Sequence, residues 1–207
     1  MIDLYSSSTP NGRKITILLE ELGIDYNPIL VSLDKKEQFS PEFSKISPTN
    51  KIPVIVDKES NQTIFESGAI LLYLAKKYNK FLNQKDYWNV VQWLFFQMAY
   101  VGPMLGQAHQ YLFYNRDKSK FAEEKSKGYV NNVYKILEAQ LSKNNYISND
   151  YSIADIAVWP WVARFERHQI NLKQYPNVLR WYINISKRDA VIKGYNVIGD
   201  FNEIPIP

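Results

Sequence analysis

Cysteine is absent from the 207 residues of this chain. Without it the protein has no disulfide framework, no thiolate metal site and no catalytic cysteine of its own. A reducing cytoplasm is the expected compartment, because disulfide-rich proteins belong mainly to oxidising ones. Histidine occurs only twice, at His109 and His168, which lie far apart in sequence and have no carboxylate motif beside them. We therefore predict no metal site and no catalytic role for either histidine.

Long apolar runs and a strong charge of one sign are also missing. No run reaches the ~20 residues that a transmembrane helix needs, and neither end carries an apolar signal segment. The net charge of +4, from 25 basic and 21 acidic side chains, is spread along the chain. That is more typical of a solvated surface than of a nucleic-acid footprint. We expect a globular protein with neither membrane nor nucleic acid as a partner.

Strand and helix patterns alternate over the first third of the chain. A helix with isoleucine and leucine at spacings of three and four separates the first two predicted strands, which makes a βαβ unit. A hairpin and a further helix complete a thioredoxin-like fold with a mixed four-stranded sheet. We predict strands at residues 2–5, 26–32, 54–56 and 63–65, and helices that begin at Asn11 as N-cap, at Pro41 and at Glu66.

A polar, helix-poor stretch at residues 79–86 divides the chain, and no strand pattern follows it. The sequence therefore predicts an α/β domain at residues 1–78, a linker, and an all-helical domain at residues 87–207. In the second domain we predict helices at residues 88–114, 121–141, 152–167 and 177–187, and an extended tail from Gly194.

Two local sequence patterns predict features of the helices in the second domain. Gly102-Pro103 predicts a kink or a break, because proline removes a helix hydrogen bond. Ser152 and Asp155 form a capping box, in which the serine caps the helix and the acid reaches back to the serine N–H. Both residues of the box are expected to act in folding and not in chemistry.

Pro53 stands at the entrance of the predicted strand 54–56. Proline cannot donate a hydrogen bond to a sheet, so its position before a β-branched run, which is otherwise typical of a buried strand, needs a special reason. One such reason is a cis Ile52–Pro53 peptide bond, although cis bonds are a minority among X–Pro bonds. That geometry would turn the N–H and C=O of Ile52 outward, where an extended peptide ligand could pair with them.

Glu66 and Ser67 lie where the third predicted helix begins. Free N–H groups at a helix N-terminus attract a carboxylate. Ser67 can add a hydroxyl and Glu66 can hold an ammonium, so together they could clamp an amino-acid head group. The alternative is that Ser67 only caps the helix.

The strand-entry proline, the hairpin, the acid–serine pair and the helix together resemble the thioredoxin-like domain of glutathione transferases. Residues 4–12 (LYSSSTPNG), 38–43 (QFSPEF) and 47–53 (SPTNKIP) narrow the resemblance. They are similar to the nu-class bacterial transferases, which reduce disulfides with glutathione, and to the transferase-fold domain of the yeast nitrogen-catabolite repressor. The resemblance covers nearly the whole chain and is most specific in the first third.

The resemblance implies that glutathione is a co-substrate, that no metal is needed, and that Thr9 and Asn11 stabilise the glutathione thiolate. A free thiol has a pKa near 8.5, and a hydroxyl, an amide and a helix N-terminus each favour its ionised form. The alternatives are that Thr9 is a turn residue and that Asn11 is only an N-cap. The glutathione-binding residues implied by the resemblance are Asn11, Gln38, Lys51, Ile52, Pro53, Glu66 and Ser67.

The other candidate side chains are polar residues near the predicted site and aromatic residues of the second domain. The resemblance directs Gln38 to the glycyl carboxylate or the backbone of glutathione, and Lys51 could add a charge or simply face water. Tyr5, on the first strand, is expected to be mainly structural. Some aromatic residues of the second domain are expected in its core, and others could line an apolar pocket for a second substrate. These aromatic residues are Trp88, Trp93, Phe95, Phe96, Tyr100, Tyr111, Phe113 and Tyr114.

The leading hypothesis is a glutathione-dependent disulfide-bond oxidoreductase that uses the thiolate of bound glutathione. The alternatives are an electrophile-conjugating transferase and a non-catalytic regulatory protein on the same scaffold, because a fold alone does not decide function. Glutathione or its disulfide and a small disulfide or electrophile are the implied ligands. The resemblance also implies a homodimer.

Overall fold

The computed structural model of the chain describes residues 1–199 and 203–207. Their contacts divide the chain into two compact units, Met1–Lys80 with Lys187–Ile204, and Phe81–Ser186 with Pro205–Pro207. All strands of the described residues lie in the first unit, and the second is helical. The predicted fold class is therefore confirmed, while the domain limits predicted around the linker at residues 79–86 stay a prediction.

A mixed sheet of four strands forms the centre of the first unit, in the order β2-β1-β3-β4. Strand β1 pairs in parallel with β2 and antiparallel with β3, and β3 pairs antiparallel with β4. The two central strands are mostly buried, and in β3 the run Val54–Val56 is β-branched, as burial in a sheet favours. The strands are β1 (Ile2–Ser6), β2 (Tyr26–Leu30), β3 (Val54–Asp57) and β4 (Gln62–Phe65).

The helices number nine over the described part of the chain, besides short 3-10 and π turns. None of them is long and apolar enough to cross a membrane. They are α1 (Pro10–Leu22), α2 (Pro41–Ile46), α3 (Ser67–Tyr78), α4 (Tyr87–Phe96), α5 (Gly102–Ala108), α6 (Lys120–Leu141), α7 (Ile153–Val162), α8 (Pro176–Ser186) and α9 (Asp189–Tyr195).

Helix α1 begins two residues earlier than predicted. Thr9 is the N-cap, and its Oγ1 accepts a hydrogen bond from the Gly12 N–H at 3.1 Å. Pro10 follows in the first turn, where its fixed φ suits a helix and its missing N–H is no loss. The prediction that Asn11 is the N-cap is therefore wrong, and Asn11 lies inside the first turn.

The helix predicted at residues 88–114 changes its winding twice. A π turn at Gln97–Val101 follows α4, and a second one at His109–Tyr114 follows α5. Pro103 lies in the first turn of α5, so the predicted interruption at Gly102-Pro103 takes the form of a wide turn just before it. Such a turn gives another backbone partner to the carbonyl group that a proline leaves without its helix hydrogen bond.

The last third departs from prediction in two places. Helix α7 ends at Val162 and not near residue 167, and a separate 3-10 turn follows at Phe165–His168. The tail was predicted to be extended from Gly194, but α9 runs on to Tyr195 and packs against α1 within the first unit. The tail prediction also covers residues 200–202, which lie outside the described residues.

Aromatic residues are distributed differently from the prediction. The eight aromatic side chains named above, between residues 88 and 114, are all exposed or half-buried. The prediction that some of them lie in the core of the second domain is therefore wrong. Helix α4 buries only the aliphatic stripe of Val90, Val91 and Leu94, at spacings of one and three. The fully buried aromatic side chains of the second unit come from later helices, and they are Tyr134, Trp159, Trp181 and Tyr182.

Candidate functional site

Strand register brings three of the predicted site segments to one end of the sheet. Tyr5 of β1 pairs with Val54 of β3, and Val54 pairs with Phe65 of β4. The loop that leads into α1 follows this end of β1, Pro53 precedes Val54, and Glu66 follows Phe65. In α/β sheets, ligands bind beyond the carboxyl ends of strands. The convergence defines a candidate binding site in the first unit.

The N-terminus of α1 contributes Thr9 and the backbone of its first turn. Thr9 Oγ1 accepts from the Gly12 N–H, so the Thr9 O–H proton remains as a donor. Asn11 lies half-buried beside it, two positions into the helix. A Cβ at Gly12 would overlap the carbonyl oxygen of Ser7, so this close packing of loop on helix requires glycine. The turn thus presents a hydroxyl together with the positive end of the helix dipole.

The second segment is the entry to β3. The Ile52–Pro53 peptide bond is cis, as the sequence suggested. The N–H and C=O of Ile52 make no hydrogen bond among the described residues. The preceding backbone is held by the buried Ser47, whose Oγ bonds the N–H and C=O of Lys51 at 3.1 and 2.8 Å. The Lys51 side chain is exposed.

The third segment is the start of α3. Ser67 is its first helical residue and Glu66 occupies the N-cap position, with no side-chain capping bond. The alternative reading of Ser67 as a helix cap is therefore wrong. Glu66 has φ 68° and ψ 118°, a conformation that side-chain-bearing residues rarely adopt. Such outliers cluster at functional sites, where the surrounding structure holds them in place.

Lys14 is a member of this site that sequence reasoning missed. Its side chain is only 1% exposed, and its Nζ donates to Ser67 Oγ at 3.1 Å, which links α1 to the start of α3. Burial lowers the pKa of Lys14 well below its usual value, and the Glu66 carboxylate opposes that shift. The sequence did contain a sign that Lys14 is buried, since position 14 lies one turn before the buried Leu18 on the apolar face of α1.

Arg13, the neighbouring cation, was also missed and supports the loop from the other side. Its guanidinium stacks on the Tyr195 ring at 3.5 Å from the centroid, and Nε donates to the Tyr195 carbonyl at 3.1 Å. Nη2 reaches Ser8 Oγ at 3.4 Å. Gly194 is packed so closely on α1 that a Cβ there would lie 2.7 Å from Ile17 Cα. Helix α9 therefore braces the helix that carries Thr9.

Gln38 lies in the 3-10 turn Glu37–Phe39, which begins after Lys36 in the left-handed conformation. The residue is half-buried, and its Oε1 is buried without a hydrogen-bond partner among the described residues. A buried amide oxygen normally has a donor, so this one is poised to meet a ligand.

The second unit brings together the two histidines that are distant in sequence. Their Nε2 atoms lie 3.0 Å apart, and the second nitrogen of His168, Nδ1, is 3.0 Å from the Tyr134 hydroxyl. His109 also stacks on Trp161. The described residues hold no group of three histidine, cysteine or acidic side chains that could bind a metal ion.

We expect the histidine pair to make the protein sensitive to mild acid. Burial lowers the pKa of His109 to about 4, and the positive charges of Arg167 and Arg164 lower it in the same direction. Burial also lowers the pKa of His168. In the unfolded chain each titrates near 6.5. Below that pH the unfolded state binds more protons, so stability falls as the pH drops from about 6.5 towards 4, by about 3 kcal/mol for His109 alone. Urea unfolding between pH 4.5 and 7.5 measures this.

His109→Gln is the matched control, because it removes the titration and keeps a polar group against His168. The comparison must be made between the two proteins, since burial raises the pKa of Asp155 to about 6 and changes stability in the opposite direction over this range. An equal loss of stability on acidification in both proteins would contradict the prediction.

Both parts of the chain match known families. Residues 2–76 match "Glutathione S-transferase, N-terminal domain", and residues 97–189 match "Glutathione S-transferase, C-terminal domain". The disulfide-bond oxidoreductase YfcG of Escherichia coli K12 is 44% identical over 198 residues, which is 92% of each chain. This chain belongs to the glutathione transferase family, as the resemblance implied.

Two other similar proteins represent different functions. A glutathione transferase from Pseudomonas putida, solved with one glutathione disulfide bound per subunit, has a TM-score of 0.91 at 37% identity, covering 96% of this chain and 92% of that one. The transcriptional regulator URE2 of Saccharomyces cerevisiae is 31% identical over 90% of this chain and 65% of its own. The resemblance to both the disulfide reductases and the yeast repressor is thereby confirmed.

Proposed function

We propose that the protein is a glutathione-dependent disulfide-bond oxidoreductase whose reacting sulfurs all come from glutathione and the substrate. The observation that carries this is the meeting of three donor sets at one end of the sheet. They are the Thr9 hydroxyl at the start of α1, the unpaired backbone of Ile52, and Ser67 at the start of α3. A chain without cysteine has no thiol of its own to exchange.

The two ends of glutathione have different places in this site. The α3 N-terminus with Ser67 and Glu66 binds the γ-glutamyl carboxylate and ammonium, because helix N–H groups favour anions and a carboxylate favours a cation. The cysteinyl backbone pairs with Ile52 beside Pro53. Gln38 supplies its buried amide to the glycyl end, and Lys51 adds a surface charge. The sulfur then lies near Thr9 and Asn11.

The reaction follows from these positions. The thiolate held by Thr9 and Asn11 attacks one sulfur of the substrate disulfide, and the other sulfur leaves as a thiolate that takes a proton. A second glutathione thiolate attacks the mixed disulfide, releasing the second substrate thiol. Two glutathiones are oxidised to glutathione disulfide, and one disulfide is reduced to two thiols. Exchange is fastest when the attacking thiol has a pKa near ambient pH, so a hydroxyl and an amide suit it better than a full positive charge.

Two relatives support the assignment. The relative with 44% identity is named a disulfide-bond oxidoreductase, and the similar Pseudomonas putida structure holds glutathione disulfide, the oxidised product of such a reaction. The test is reduction of hydroxyethyl disulfide in an assay coupled to glutathione reductase and NADPH. We expect clear turnover that depends on glutathione, and poor conjugation of chlorodinitrobenzene. Strong conjugation without disulfide turnover would instead support an ordinary transferase.

A non-catalytic regulator is the second candidate, because URE2 is similar over most of this chain. Glutathione-dependent disulfide turnover separates this candidate from the first. Glutathione binding does not, because a similar solved structure is that of Ure2p in complex with glutathione. A folded protein that binds glutathione but turns over no disulfide would favour the regulator and contradict the enzyme.

Ser67→Ala should weaken glutathione binding about 10-fold or more. Losing a hydrogen bond to a charged group costs about 1.5–3 kcal/mol. Ser67 is the first helical residue and not the N-cap, so the substitution removes no cap, but it does remove the acceptor of Lys14 Nζ, and the melting temperature is measured alongside. Titration calorimetry measures the affinity, with Ser142→Ala, at an exposed serine of the second unit, as a control that should bind normally. Unchanged affinity in Ser67→Ala would remove this residue from the site.

We also propose that the protein forms a homodimer and resides in the cytoplasm. Several large aromatic side chains of the second unit are exposed, among them Trp88 at 75% and Phe95 at 62%. Surface of this kind is typical of association sites. Sedimentation equilibrium decides the oligomeric state, and a monomer at micromolar concentration would contradict the dimer.

A further inference from the structure

The loop between α2 and β3 offers the backbone of Ile52 to the proposed ligand. The N–H and C=O of Ile52 make no hydrogen bond among the described residues. Its half-buried side chain packs on the buried cluster of Val31, Phe43 and Val54. Backbone that is free to rotate must be ordered when a ligand binds, and that ordering lowers the affinity. The contacts that hold the Ile52 peptide in place before binding therefore matter to the function.

Ser47 is the residue that fixes this part of the loop. It is fully buried, and its Oγ donates to the Lys51 C=O at 2.8 Å and accepts from the Lys51 N–H at 3.1 Å. The Ser47 N–H donates to the Phe43 C=O of α2, and the Ser47 C=O accepts from the Asn50 N–H, both at 2.9 Å. One buried serine thus ties the loop to the end of α2 with every polar group that it has.

The planarity of the peptide bond carries this restraint to Ile52. The Lys51 C=O and the Ile52 N–H belong to the same peptide unit, which is planar and trans, so the two groups point in opposite directions. The Ser47 hydroxyl holds the C=O towards the buried side of the loop. The Ile52 N–H is therefore directed away from Ser47, where a ligand carbonyl can accept from it.

A second hydrogen bond joins the same loop to α2 without acting on this peptide. The Ser44 hydroxyl donates to Asn50 Oδ1 at 2.7 Å, and Asn50 has the left-handed conformation, with φ 53°. Among the described residues, the Lys51–Ile52 peptide is hydrogen-bonded only through Ser47. The two serines therefore restrain different parts of one loop, which makes them a matched pair for substitution.

We propose that Ser47 is a positioning residue for glutathione, which sets the plane of the Lys51–Ile52 peptide and so aims the Ile52 N–H at the cysteinyl carbonyl. This inference rests on the proposed glutathione-binding function and deepens it. Because Ser47 is buried and its hydroxyl is bonded to Lys51 as both donor and acceptor, it acts through the loop and does not touch the ligand.

The test measures three ligands by titration calorimetry in the presence of a phosphine reductant, which keeps them as thiols. The ligands are glutathione, an analogue with an alkene in place of the cysteinyl–glycyl peptide bond, and an analogue with the γ-glutamyl carboxylate replaced by a carboxamide. The alkene removes the carbonyl that would accept from Ile52. The carboxamide changes the other end of the ligand, which the proposed function places at Ser67.

The proteins are the natural chain, Ser47→Ala, and Ser44→Ala as the matched control. Ser47→Cys is measured alongside and carries the test if the alanine variant does not fold, because a thiol fills the same place but is a weak donor and acceptor.

We expect the natural protein to bind glutathione about tenfold more tightly than the alkene analogue, because the alkene leaves the Ile52 N–H without an acceptor. In Ser47→Ala this ratio of dissociation constants should fall to about twofold, while the ratio between glutathione and the carboxamide stays the same. Ser44→Ala should keep both ratios.

Three results would overturn the inference. One is a Ser47→Ala variant that binds all three ligands more weakly but keeps the tenfold ratio, since the hydroxyl would then only satisfy the buried loop. Another is an equal fall of the ratio in Ser44→Ala, which would assign the effect to the loop as a whole. The third is equal binding of glutathione and the alkene by the natural protein, which would leave glutathione binding itself intact. A natural protein that binds no glutathione would overturn the proposed function together with the inference.

Discussion

Thr9→Ala should slow the glutathione-dependent reduction of hydroxyethyl disulfide by about 10–100-fold. The Thr9 O–H is the hydroxyl donor placed at the start of α1, and a hydrogen bond to a thiolate contributes about 1.5–3 kcal/mol. The measurement is kcat/KM in the coupled assay, with glutathione affinity determined separately. The loss should appear mainly in turnover, because the rest of the glutathione contacts remain.

The capping role of Thr9 has to be separated from its chemical role. Alanine also removes the cap of α1, which costs about 0.5–2 kcal/mol of stability. Thr9→Ser keeps both the hydroxyl and the cap, so we expect near-normal rates. Thr9→Asp caps at least as well but places a carboxylate where the thiolate forms, so it should be stable and slower than the alanine variant. A fast aspartate variant would exclude thiolate stabilisation at this position.

Asn11 provides an independent check on the same chemistry. Because Thr9 and not Asn11 caps α1, Asn11→Ala should slow the disulfide reaction without the loss of stability that removal of a cap causes. A fall in melting temperature as large as that of Thr9→Ala would contradict this division of roles.

Asp155→Ala should destabilise the protein by about 3–5 kcal/mol. The carboxylate is fully buried, and it accepts hydrogen bonds from the Ser152 N–H at 3.0 Å, the Ile147 N–H at 2.9 Å and Trp181 Nε1 at 2.8 Å. Each donor left unsatisfied in the interior costs about 1–3 kcal/mol. For a chain of this size the melting temperature should fall by roughly 6–20 °C.

The specific activity of Asp155→Ala should stay near normal although its stability falls. Asp155 belongs to the second unit and the candidate site to the first, so the folded fraction should keep near-normal specific activity. Asp155→Asn is the matched control, because its amide oxygen can still accept from Ile147 and Trp181 and only the capping contact to Ser152 is lost. A fully stable but inactive alanine variant would show that this residue acts in chemistry.

The expectation for Asp155 illustrates how far local patterns carry. The capping box was predicted from Ser152 and Asp155 alone, since its spacing is set by the geometry of one helical turn. The same pattern gave no hint that Ile147 and Trp181 also donate to the carboxylate. Those contacts join separate segments of the chain, and they raise the expected cost of substitution from that of a cap to that of a buried network.

The candidate site was also predicted only as far as local sequence patterns allow. The segments around Thr9, Pro53 and Ser67 were predicted because each carries a local signal, namely a helix start, a strand-entry proline and an acid–serine pair. Even there, the cap of α1 was misplaced by two residues, because Asn11 and Thr9 are both good N-caps and only Pro10 between them distinguishes the two registers.

By itself, the sequence determined the class of fold, the order of strands and helices over residues 1–78, and the exclusion of cysteine chemistry, because periodicity, turn residues and composition act over a few neighbours at a time. Only the tertiary structure decided which distant side chains meet. It placed Lys14 under Ser67, brought His109 to His168, and returned α9 to brace α1. Such contacts depend on the register of a sheet and the packing of whole helices, which no local pattern encodes.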